Sequence, residues 1–396
     1  MPKKTPYPYG SINPPLCNSV AFCFDSVAQG AEAFLKYGSR FAYGRMGTPS
    51  VKPLEEWLAE LEGVPHGSVW ATHTGMAAIK LLIEGITSNR LGRGQTVLAS
   101  PYLYGGTCHL LEILKNNGCI EVTWVEDPFD ISSWESGMCA TRPYPALVFL
   151  ETPSNPNVDI FDIESIGELS RHYGSRFVVD NTLGVGLQNP IALGADGVVY
   201  SVTKAINGKS SELGGAIVAS PDFLKEIEET VDDLFVHSGI IMHPQSALAA
   251  YENRTTLKRD MRIFSQNALM VAEFFEGNPR VKKVNYPMLL SSPYYELAQK
   301  QMPDGAGGLL SFELRSFEAA VRFVEEQEEA YLAVHLGDAN NNLITHPAST
   351  THAKLSSGEL ARLGITPELV RLSVSLAEYE KIRTMCVEFE KILARL

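Results

Sequence analysis

Apolar runs alternate with amphipathic segments from about residue 67 to about residue 220, and this alternation predicts strands that alternate with helices. The runs have the length of buried strands, whereas the segments between them space apolar residues as one face of a helix does. The predicted strands are Ser68–Thr72, Thr96–Ser100, Val122–Val125, Ala146–Leu150 and the runs that end at Asp180 and Tyr200. The predicted helices are Pro53–Leu61, Thr74–Ile83 and Ile163–Tyr173. This succession favours an α/β fold with a mostly parallel central sheet, helices on both faces and a ligand at the carboxyl ends of the strands.

The last part of the chain has a different pattern. From Pro221 it is mainly helical, and Ser246–Phe275 is predicted as one long helix that links two domains. Short strands are predicted at Lys283–Tyr286, Gly308–Leu314, Leu332–Leu336 and Val370–Leu376, followed by an amphipathic helix at Glu378–Leu396. We therefore expect a larger ligand-binding domain at 61–245 and a smaller α+β C-terminal domain at 246–396.

The first 60 residues differ from both of these regions. They are rich in Pro, Gly, Tyr and Ser, and only Gln29–Tyr37 has a helical pattern. A segment of this composition cannot bury a core of its own. Residues 1–60 are therefore predicted to be an arm that packs on the main domain or on a neighbouring subunit.

Composition and charge narrow the class of protein. The 396 residues are 45% hydrophobic and 20% charged, which is typical of a soluble globular protein. A net charge of −13 argues against nucleic acid or an anionic membrane as a partner. Six cysteines without a C-x-x-C pair, no apolar signal core after Met1 and no apolar run near ~18 residues predict a reduced, cytoplasmic protein.

The candidate chemistry lies where two of the predicted strands end. Ser201, Thr203 and Lys204 follow one strand, and Asp180 ends another. A lysine amine can form an imine with an aldehyde, and hydroxyls can donate to phosphate. A carboxylate can keep a pyridine nitrogen protonated, so that the ring withdraws electrons. A lone Ser-x-Thr-Lys is most often just a surface turn, but Lys204 together with Asp180 indicates pyridoxal 5'-phosphate (PLP).

A predicted helix start supplies groups for the phosphate. Gly75 and Met76 open the helix that follows the strand at Ser68–Thr72. The first N–H groups of a helix have no partner within the helix, and the helix dipole favours an anion there. We expect both residues to donate backbone hydrogen bonds to the cofactor phosphate.

In these motifs, from about Tyr43 to the C-terminus, the chain resembles the Cys/Met-metabolism family of PLP-dependent enzymes. This family includes cystathionine γ-synthases, cystathionine lyases, methionine γ-lyases and O-acetylhomoserine sulfhydrylases. The resemblance implies a fold type I PLP-dependent transferase whose PLP-binding domain is the region 61–245. It also implies a homo-oligomer, a dimer of dimers, with active sites at the dimer interface.

The resemblance assigns further roles to single residues. Tyr43 and Arg45 are expected to reach the cofactor phosphate of the neighbouring subunit, and Tyr104 to stack on the cofactor ring. Asn155, in the turn Glu151-Thr-Pro-Ser-Asn-Pro156, is expected to contact the phenolic oxygen of the cofactor. Arg371 is expected to hold the substrate α-carboxylate with two hydrogen bonds, although a structural ion pair is the alternative for an arginine among apolar neighbours.

The chain departs from the family pattern at several positions. Thr48 stands where Asn is common, Gly106 where methionine γ-lyases carry Cys, and Lys209 where His is frequent. His335 replaces a usual Ser and is assigned to substrate binding, and Asn340–Asn342 makes the following loop one residue longer. The spacing of His335, His346 and His352 fits no common zinc pattern, so no metal is expected.

The sequence predicts an enzyme that acts on an L-amino acid with a leaving group at Cγ. Replacement on an O-activated homoserine, giving homocysteine or cystathionine, is the main interpretation. The alternative is γ-elimination, from a substrate with or without sulfur, to a 2-oxo acid and ammonia. Intact Lys204, Asp180 and Arg371 argue against a third possibility, a cofactor-binding protein without catalytic activity.

Overall fold

The structure is a computed structural model that describes residues 7–35 and 40–396. Residues 1–6, on which the expected lack of a signal segment depends, lie outside this part. Tyr37, the predicted end of the arm helix, also lies outside it. The helices are α1 Val27–Leu35, α2 Lys52–Glu62, α3 Gly75–Ile86, α4 Gly105–Asn116, α5 Ile131–Cys139, α6 Ile163–His172, α7 Pro221–Ser238, α8 Pro244–Glu252, α9 Leu257–Glu276, α10 Tyr295–Gln301, α11 Phe317–Glu326, α12 Ser357–Arg362 and α13 Tyr379–Leu393.

The strands form two sheets within the described residues. The first contains β1 Val69–Thr72, β2 Thr96–Ala99, β3 Glu121–Trp124, β4 Leu147–Glu151, β5 Arg176–Asp180, β6 Gly197–Tyr200 and β7 Gly215–Ala219. The second contains β8 Lys283–Asn285, β9 Leu309–Glu313, β10 Tyr331–Leu332, β11 Leu343–Thr345 and β12 Leu369–Ser373.

The seven-stranded sheet has the order β1-β7-β6-β5-β4-β2-β3. Its strands β6, β5, β4, β2 and β3 pair in parallel, and only β7 runs in the opposite direction, between β1 and β6. This confirms the mostly parallel α/β sheet. Parallel strands end at the same edge, so Glu151, Asp180 and the turn after Tyr200 come together there.

Alternate residues of the strands pack into different cores. In β6, Val198 and Tyr200 belong to a cluster that extends to α2, α8 and α9, whereas Val199 packs with α3 and α7 on the other face. All four residues of this strand are buried. Since side chains of a strand point to opposite faces in turn, a strand covered on both sides needs a continuous apolar run.

The C-terminal sheet has the order β10-β11-β12-β9-β8 and is mainly antiparallel. Phe312 of β9 belongs to the same buried cluster as Val198, so apolar packing is continuous between the two sheets. Sequence analysis missed β7 and β11. The predicted strand Leu332–Leu336 is also wrong, because the strand ends at Leu332 and His335 lies in the following loop.

The prediction of one long helix at Ser246–Phe275 is wrong. Helix α8 ends at Glu252, a 3-10 turn covers Asn253–Thr255, and α9 begins at Leu257. The Asn253 side chain donates hydrogen bonds to the carbonyl groups of Ala205 and Ile206, at 3.3 and 3.1 Å. The break therefore places an amide against the loop that follows Lys204.

Candidate active site

Lys204 lies in the turn that follows β6. The backbone N–H of Lys204 donates to the carbonyl of Ser201 at 3.1 Å, and its carbonyl accepts from Gly208 at 2.8 Å. Its amine nitrogen Nζ lies 3.2 Å from Nδ1 of His335. Burial, and secondarily the positive charge of Arg371, lowers the pKa of Lys204 to about 8. About a tenth of the amine is therefore neutral, and nucleophilic, at pH 7, which is far more than in an ordinary lysine.

Asp180 ends the neighbouring strand β5 and is buried. Its Oδ1 accepts hydrogen bonds from the backbone N–H and the hydroxyl of Thr182, at 3.0 and 2.6 Å. Burial raises the pKa of Asp180 to about 6, and the two hydrogen bonds oppose that rise. At neutral pH this carboxylate is mainly ionised and suits a cationic partner.

Glu151 is a buried carboxyl group that sequence analysis did not assign to the site. It ends β4 opposite Asp180, and its Oε2 accepts a 2.6 Å hydrogen bond from the backbone N–H of Tyr104. Burial first, and the charge of Asp180 second, raises the pKa of Glu151 well above its ordinary value. The signal was available, since Glu151 follows an apolar run as Asp180 does.

The start of α3 packs directly on the strand end that carries Ser201. The Thr74 hydroxyl caps the helix by accepting from Ala77 N at 3.1 Å, and in the described residues Gly75 N and Met76 N have no such partner. A β-carbon on Gly75 would lie 3.0 Å from Cβ of Ser201, so glycine permits this close approach. Two backbone donors and one hydroxyl thus lie together.

Thr203 differs from Ser201 in its contacts. Its hydroxyl donates to the carbonyl of Gly214 at 3.1 Å and accepts from Gly214 N at 2.9 Å, and the side chain is buried. The hydroxyl is therefore already engaged with the backbone in this structure.

Arg371 lies in the middle of β12 and is only 2% exposed. One Nη donates to Asn155 Oδ1 at 3.1 Å, and the other donates to the carbonyls of Val334 and His335 at 2.9 and 3.2 Å. Its Nε is buried and has no hydrogen-bond partner among the described residues. Burial lowers the pKa of Arg371 to about 10, so the guanidinium stays charged at neutral pH. No carboxylate pairs with it in the described chain, which argues against the structural ion pair.

Tyr104 precedes α4, and its ring lies over Gly106. The side chain is 43% exposed. A β-carbon on Gly106 would lie 2.5 Å from Cε1 of Tyr104 and 3.3 Å from the sulfur of Met76. The ring position therefore depends on glycine at residue 106, the position where the sequence departs from methionine γ-lyases.

Tyr43 and Arg45 make their contacts elsewhere in the described chain. Arg45 donates a 2.6 Å hydrogen bond to the carbonyl of Val236 in α7, and its guanidinium lies 5.6 Å from the centre of the Tyr43 ring. Neither residue has a recorded contact with Lys204 of the same chain. The structure does not bring them to the Lys204 site within one subunit.

The loop 335–342 covers Lys204, but its residues face different directions. Gly337 adopts a φ of +73°, and a β-carbon there would lie 3.1 Å from Ala205 N. Asp338 Oδ1 accepts from Asn340 N and Asn341 N at 2.8 and 2.9 Å, and Asn342 donates to the carbonyl of Glu329. His335 is the side chain of this loop that contacts the Lys204 amine, whereas Asn342 contacts residues outside the loop.

The other departures from the family pattern also have defined surroundings. Lys209 is exposed, whereas Thr48 is buried and its hydroxyl has no partner among the described residues. The carbonyl of Thr48 accepts from Val51 N at 3.2 Å at the start of α2. Neither side chain has a recorded contact with Lys204.

His352 is a second histidine that sequence analysis left without a role. It is buried, it lines a small cavity together with Asn155, and a β-carbon on Gly105 would lie 3.8 Å from its ring. Burial first, and the charge of Arg371 second, lowers the pKa of His352 to about 4. The imidazole is therefore neutral beside the turn that carries Asn155.

A cavity of about 290 Å³ lies elsewhere, between residues 157–159 and 281–294. None of the sequence-predicted site residues lines it. The space beside Lys204 is smaller, about 20 Å³, and is bounded by Thr182, Gly337 and Ser373 among others. Lys204 therefore lies at the smaller of these two spaces.

Comparison with known proteins identifies this arrangement. Residues 2–385 match the profile of the family described as Cys/Met metabolism PLP-dependent enzyme. The chain belongs to this family. It is 35% identical over 378 residues to an L-methionine gamma-lyase of Fusobacterium nucleatum subsp. polymorphum, with 94% of this chain and 92% of that protein covered. It is 31% identical over 404 residues to an O-acetyl-L-homoserine sulfhydrylase of Corynebacterium glutamicum, with 93% and 90% covered.

Solved structures agree with this membership of the Cys/Met-metabolism family. A putative O-acetylhomoserine (thiol)-lyase of Campylobacter jejuni, which carries N'-pyridoxyl-lysine-5'-monophosphate, superimposes with a TM-score of 0.88 at 29% identity and covers 97% of this chain and 96% of its own. A cystathionine gamma synthase of Xanthomonas oryzae gives a TM-score of 0.85 at 33% identity, with 98% and 95% covered. The expected fold type I architecture is confirmed.

The residues present fit the cofactor of this family. A buried carboxylate, a half-buried amine of lowered pKa and two unpartnered N–H groups lie at one edge of the sheet, as PLP requires. In the described ranges, no three His, Cys, Asp or Glu side chains converge to hold a metal ion. None of the helices described here is long and apolar enough to span a membrane.

Proposed function

We propose that the enzyme replaces the Cγ substituent of an O-activated homoserine with a thiol or sulfide. The relationship that carries this proposal is the Tyr104 ring over Gly106, because a β-carbon at residue 106 would lie 2.5 Å from the ring. The resemblance places a cysteine at this position in methionine γ-lyases, and in this chain a cysteine there would require the Tyr104 ring to shift. Sulfhydrylases and a cystathionine gamma synthase are among the relatives, which supports the same reaction class.

The phosphate and ring of PLP have separate binding groups in this proposal. Gly75 N, Met76 N and the Ser201 hydroxyl hold the phosphate, and Thr203 contributes if its hydroxyl turns from Gly214. Asp180 holds the ring nitrogen, Asn155 the phenolic oxygen, and the Tyr104 ring covers the cofactor. When bound, PLP supplies an aldehyde for amines and a ring that withdraws electrons from the substrate Cα.

The substrate has its own binding groups. Arg371 binds the α-carboxylate through the guanidinium, whose Nε has no partner in the described chain. Once the amine of Lys204 is free, it removes the proton from Cα and would pass it to the carbon of PLP that carried the aldehyde. The amine is then neutral again and removes the proton from Cβ, so that Nζ holds one proton at a time. Because the amine is held beside the substrate, these proton transfers are intramolecular. This lowers their free-energy barrier by on the order of 7 kcal/mol.

The arm supports a homo-oligomer with shared sites. Its apolar side chains are exposed in a single chain, among them Ile12, Val20, Val27, Phe34 and Leu35. Such a surface needs another subunit to cover it. We therefore include in the proposal a cytoplasmic dimer of dimers, in which Tyr43 and Arg45 bind the cofactor phosphate of the neighbouring subunit.

A second candidate function is γ-elimination to a 2-oxo acid and ammonia. The contact between His335 and Lys204 favours it, because the resemblance places serine at residue 335 in the family. An imidazole can give a proton to a leaving group as it departs. The carboxylate that leaves an O-acyl substrate does not need this proton.

Product analysis separates the two candidates. Purified enzyme is given O-acetyl- or O-succinylhomoserine, with and without sulfide or cysteine, and products are separated by chromatography. Replacement predicts that homocysteine or cystathionine forms faster with a nucleophile than 2-oxobutyrate forms without one. Equal rates of 2-oxo acid formation with and without a thiol would instead establish the γ-lyase, and turnover restricted to another γ-substituted amino acid would indicate a different leaving group.

A further inference from the structure

His335 has one ring nitrogen on Lys204 and one that faces no partner. Its Nδ1 lies 3.2 Å from Lys204 Nζ, although 131 residues separate the two in sequence. Its Nε2 is buried and has no hydrogen bond among the described residues. A buried polar atom without a partner is costly, so it indicates a group that binds there.

The charges around His335 determine which nitrogen carries the proton. The cations Lys204 and Arg371 disfavour a positive charge on the ring, whereas the carboxylate of Asp338 favours one. Burial first, and then the charge of Lys204, lowers the pKa of His335 to about 4, so the ring is neutral at working pH. A lysine ammonium only donates, so Nδ1 must accept from it and the ring proton lies on Nε2.

We propose that His335 gives the proton on Nε2 to the departing Cγ substituent and accepts at Nδ1 the proton that Lys204 removes from Cβ. This inference rests on the proposed reaction at Cγ and adds a residue to it. The Cβ proton moves to Lys204 Nζ, and the C–H electron pair forms a Cβ–Cγ double bond. The Cγ–X bond breaks, and its electron pair stays on X. Nε2 gives its proton to X, and Nδ1 takes one from Lys204.

This relay balances and restores the base. The proton lost from Cβ is replaced by one on X, which leaves as HX, and Lys204 returns to its neutral amine. No oxidant, reductant or further reactant is needed. The imidazole ends with its proton on Nδ1 instead of Nε2.

The relay matters most for leaving groups that are strong bases. A carboxylate leaves O-acylhomoserine readily without a proton, whereas a thiolate or an alkoxide needs one. His335 therefore extends the substrate class towards thioethers and ethers of homocysteine or homoserine. The two kinds of leaving group can be compared in the same enzyme.

The first experiment uses the PLP-loaded enzyme and His335→Asn, whose amide can still contact Lys204 but has no atom at the place of Nε2. We expect turnover of a γ-thioether to fall by about 100-fold or more, which is the usual contribution of general acid catalysis. Turnover of O-acetylhomoserine should also fall, but by at least about tenfold less than that of the thioether, because a carboxylate leaves without a proton. His109→Asn, an exposed histidine of α4, serves as the control.

The second experiment uses unloaded protein with 15N-labelled histidine. NMR should show His335 neutral at pH 6 with its proton on Nε2, and Lys204→Met should raise its pKa, since a positive charge is removed. Equal losses on both substrates, or a proton on Nδ1 while Lys204 is charged, would overturn the relay. A wild-type enzyme that turns over no γ-substituted amino acid would overturn the proposed function as well.

Discussion

Glu151 and Asp180 lie opposite each other where the parallel strands β4 and β5 end, and both carboxyl groups are buried. Two adjacent carboxylates cannot both ionise cheaply in a buried place. The two hydrogen bonds from Thr182 favour the charge on Asp180, whereas the pKa of Glu151 is raised well above its ordinary value by burial and by Asp180. The pair therefore presents one negative charge, on Asp180.

This asymmetry predicts different effects for the two matching amides. Asp180→Asn removes the charge beside the ring nitrogen, so we expect kcat to fall by about 100-fold or more, or roughly 3 kcal/mol. Glu151→Gln keeps a neutral acceptor for Tyr104 N and should cost far less. Steady-state kinetics and the absorption spectrum of bound PLP measure both. Asp196→Asn, at the opposite end of the sheet, is the control, and a larger loss in Glu151→Gln would reverse the assignment of the charge.

The lowered pKa of Lys204 predicts the pH dependence of cofactor capture. The neutral amine is the reactive form, and it predominates only above its pKa of about 8. In unloaded enzyme, the rate of PLP capture should therefore rise with pH to a midpoint near 8, against about 10.4 for an ordinary lysine. Stopped-flow absorbance measures this rate. Lys204→Ala should lose turnover and borohydride-stable labelling, whereas exposed Lys209→Ala should keep both, and an active Lys204→Ala enzyme would refute the role.

The surroundings of Tyr43 and Arg45 predict recovery of activity in mixed oligomers. Arg45→Ala and Lys204→Ala should each be nearly inactive, because each removes a group from every site. Unfolding and refolding the two together creates some sites with both residues intact if the site is shared between subunits. We expect partial recovery of turnover in the mixture and none in either variant refolded alone. Hybrid oligomers confirmed by mass spectrometry but without activity would contradict a shared site.

Gly106 and Gly105 form a matched pair for testing the position of Tyr104. A β-carbon at residue 106 would lie 2.5 Å from the Tyr104 ring, whereas one at residue 105 has neighbours no closer than 3.6 Å. Overpacking of this kind costs about 1–3 kcal/mol, so Gly106→Ala should lower kcat/KM by roughly 10- to 100-fold. Gly105→Ala should change it far less. Small losses in both variants would show that the Tyr104 ring adjusts freely. Large losses in both would show that the start of the helix tolerates neither substitution.

Buried Glu62 predicts that unloaded protein is more stable in mild acid. Burial raises the pKa of Glu62 to about 7, although Tyr200 donates a hydrogen bond to it. The unfolded chain releases this proton near 4.3. The stability from this group is therefore complete below about pH 4.3 and is lost as the pH rises through 7, by about 4 kcal/mol at most.

Chemical denaturation at pH 5 and pH 8 measures this effect. The loss of unfolding free energy between the two values should be smaller in Glu62→Gln than in the wild type. Burial also raises the pKa of Glu55 to about 7. The wild type and Glu62→Gln therefore both still lose stability between pH 5 and pH 8 because of Glu55. Exposed Glu296→Gln should behave as the wild type does, and an unchanged loss in Glu62→Gln would mean that water reaches the carboxylate.

The local pattern of apolar residues was sufficient to predict the strands that lead into the site. Continuous apolar runs predicted the strands that end near Asp180 and Lys204, since a strand buried on both faces has no polar side. The same pattern was insufficient at Asn253, where the helical spacing continues but the side chain binds the carbonyls of Ala205 and Ile206 instead. Tertiary hydrogen bonds there outweigh the helical preference of the segment.

The sequence by itself determined the family, the α/β succession and the residue types that PLP chemistry needs. Only the tertiary structure decided which groups meet: Glu151 beside Asp180, His335 on Lys204, and Arg371 on Asn155 across 216 residues of sequence. Periodicity records which side of an element is buried, and this is a local property of the chain. Contacts between distant segments depend on strand order and register, which are set by how all the elements pack together.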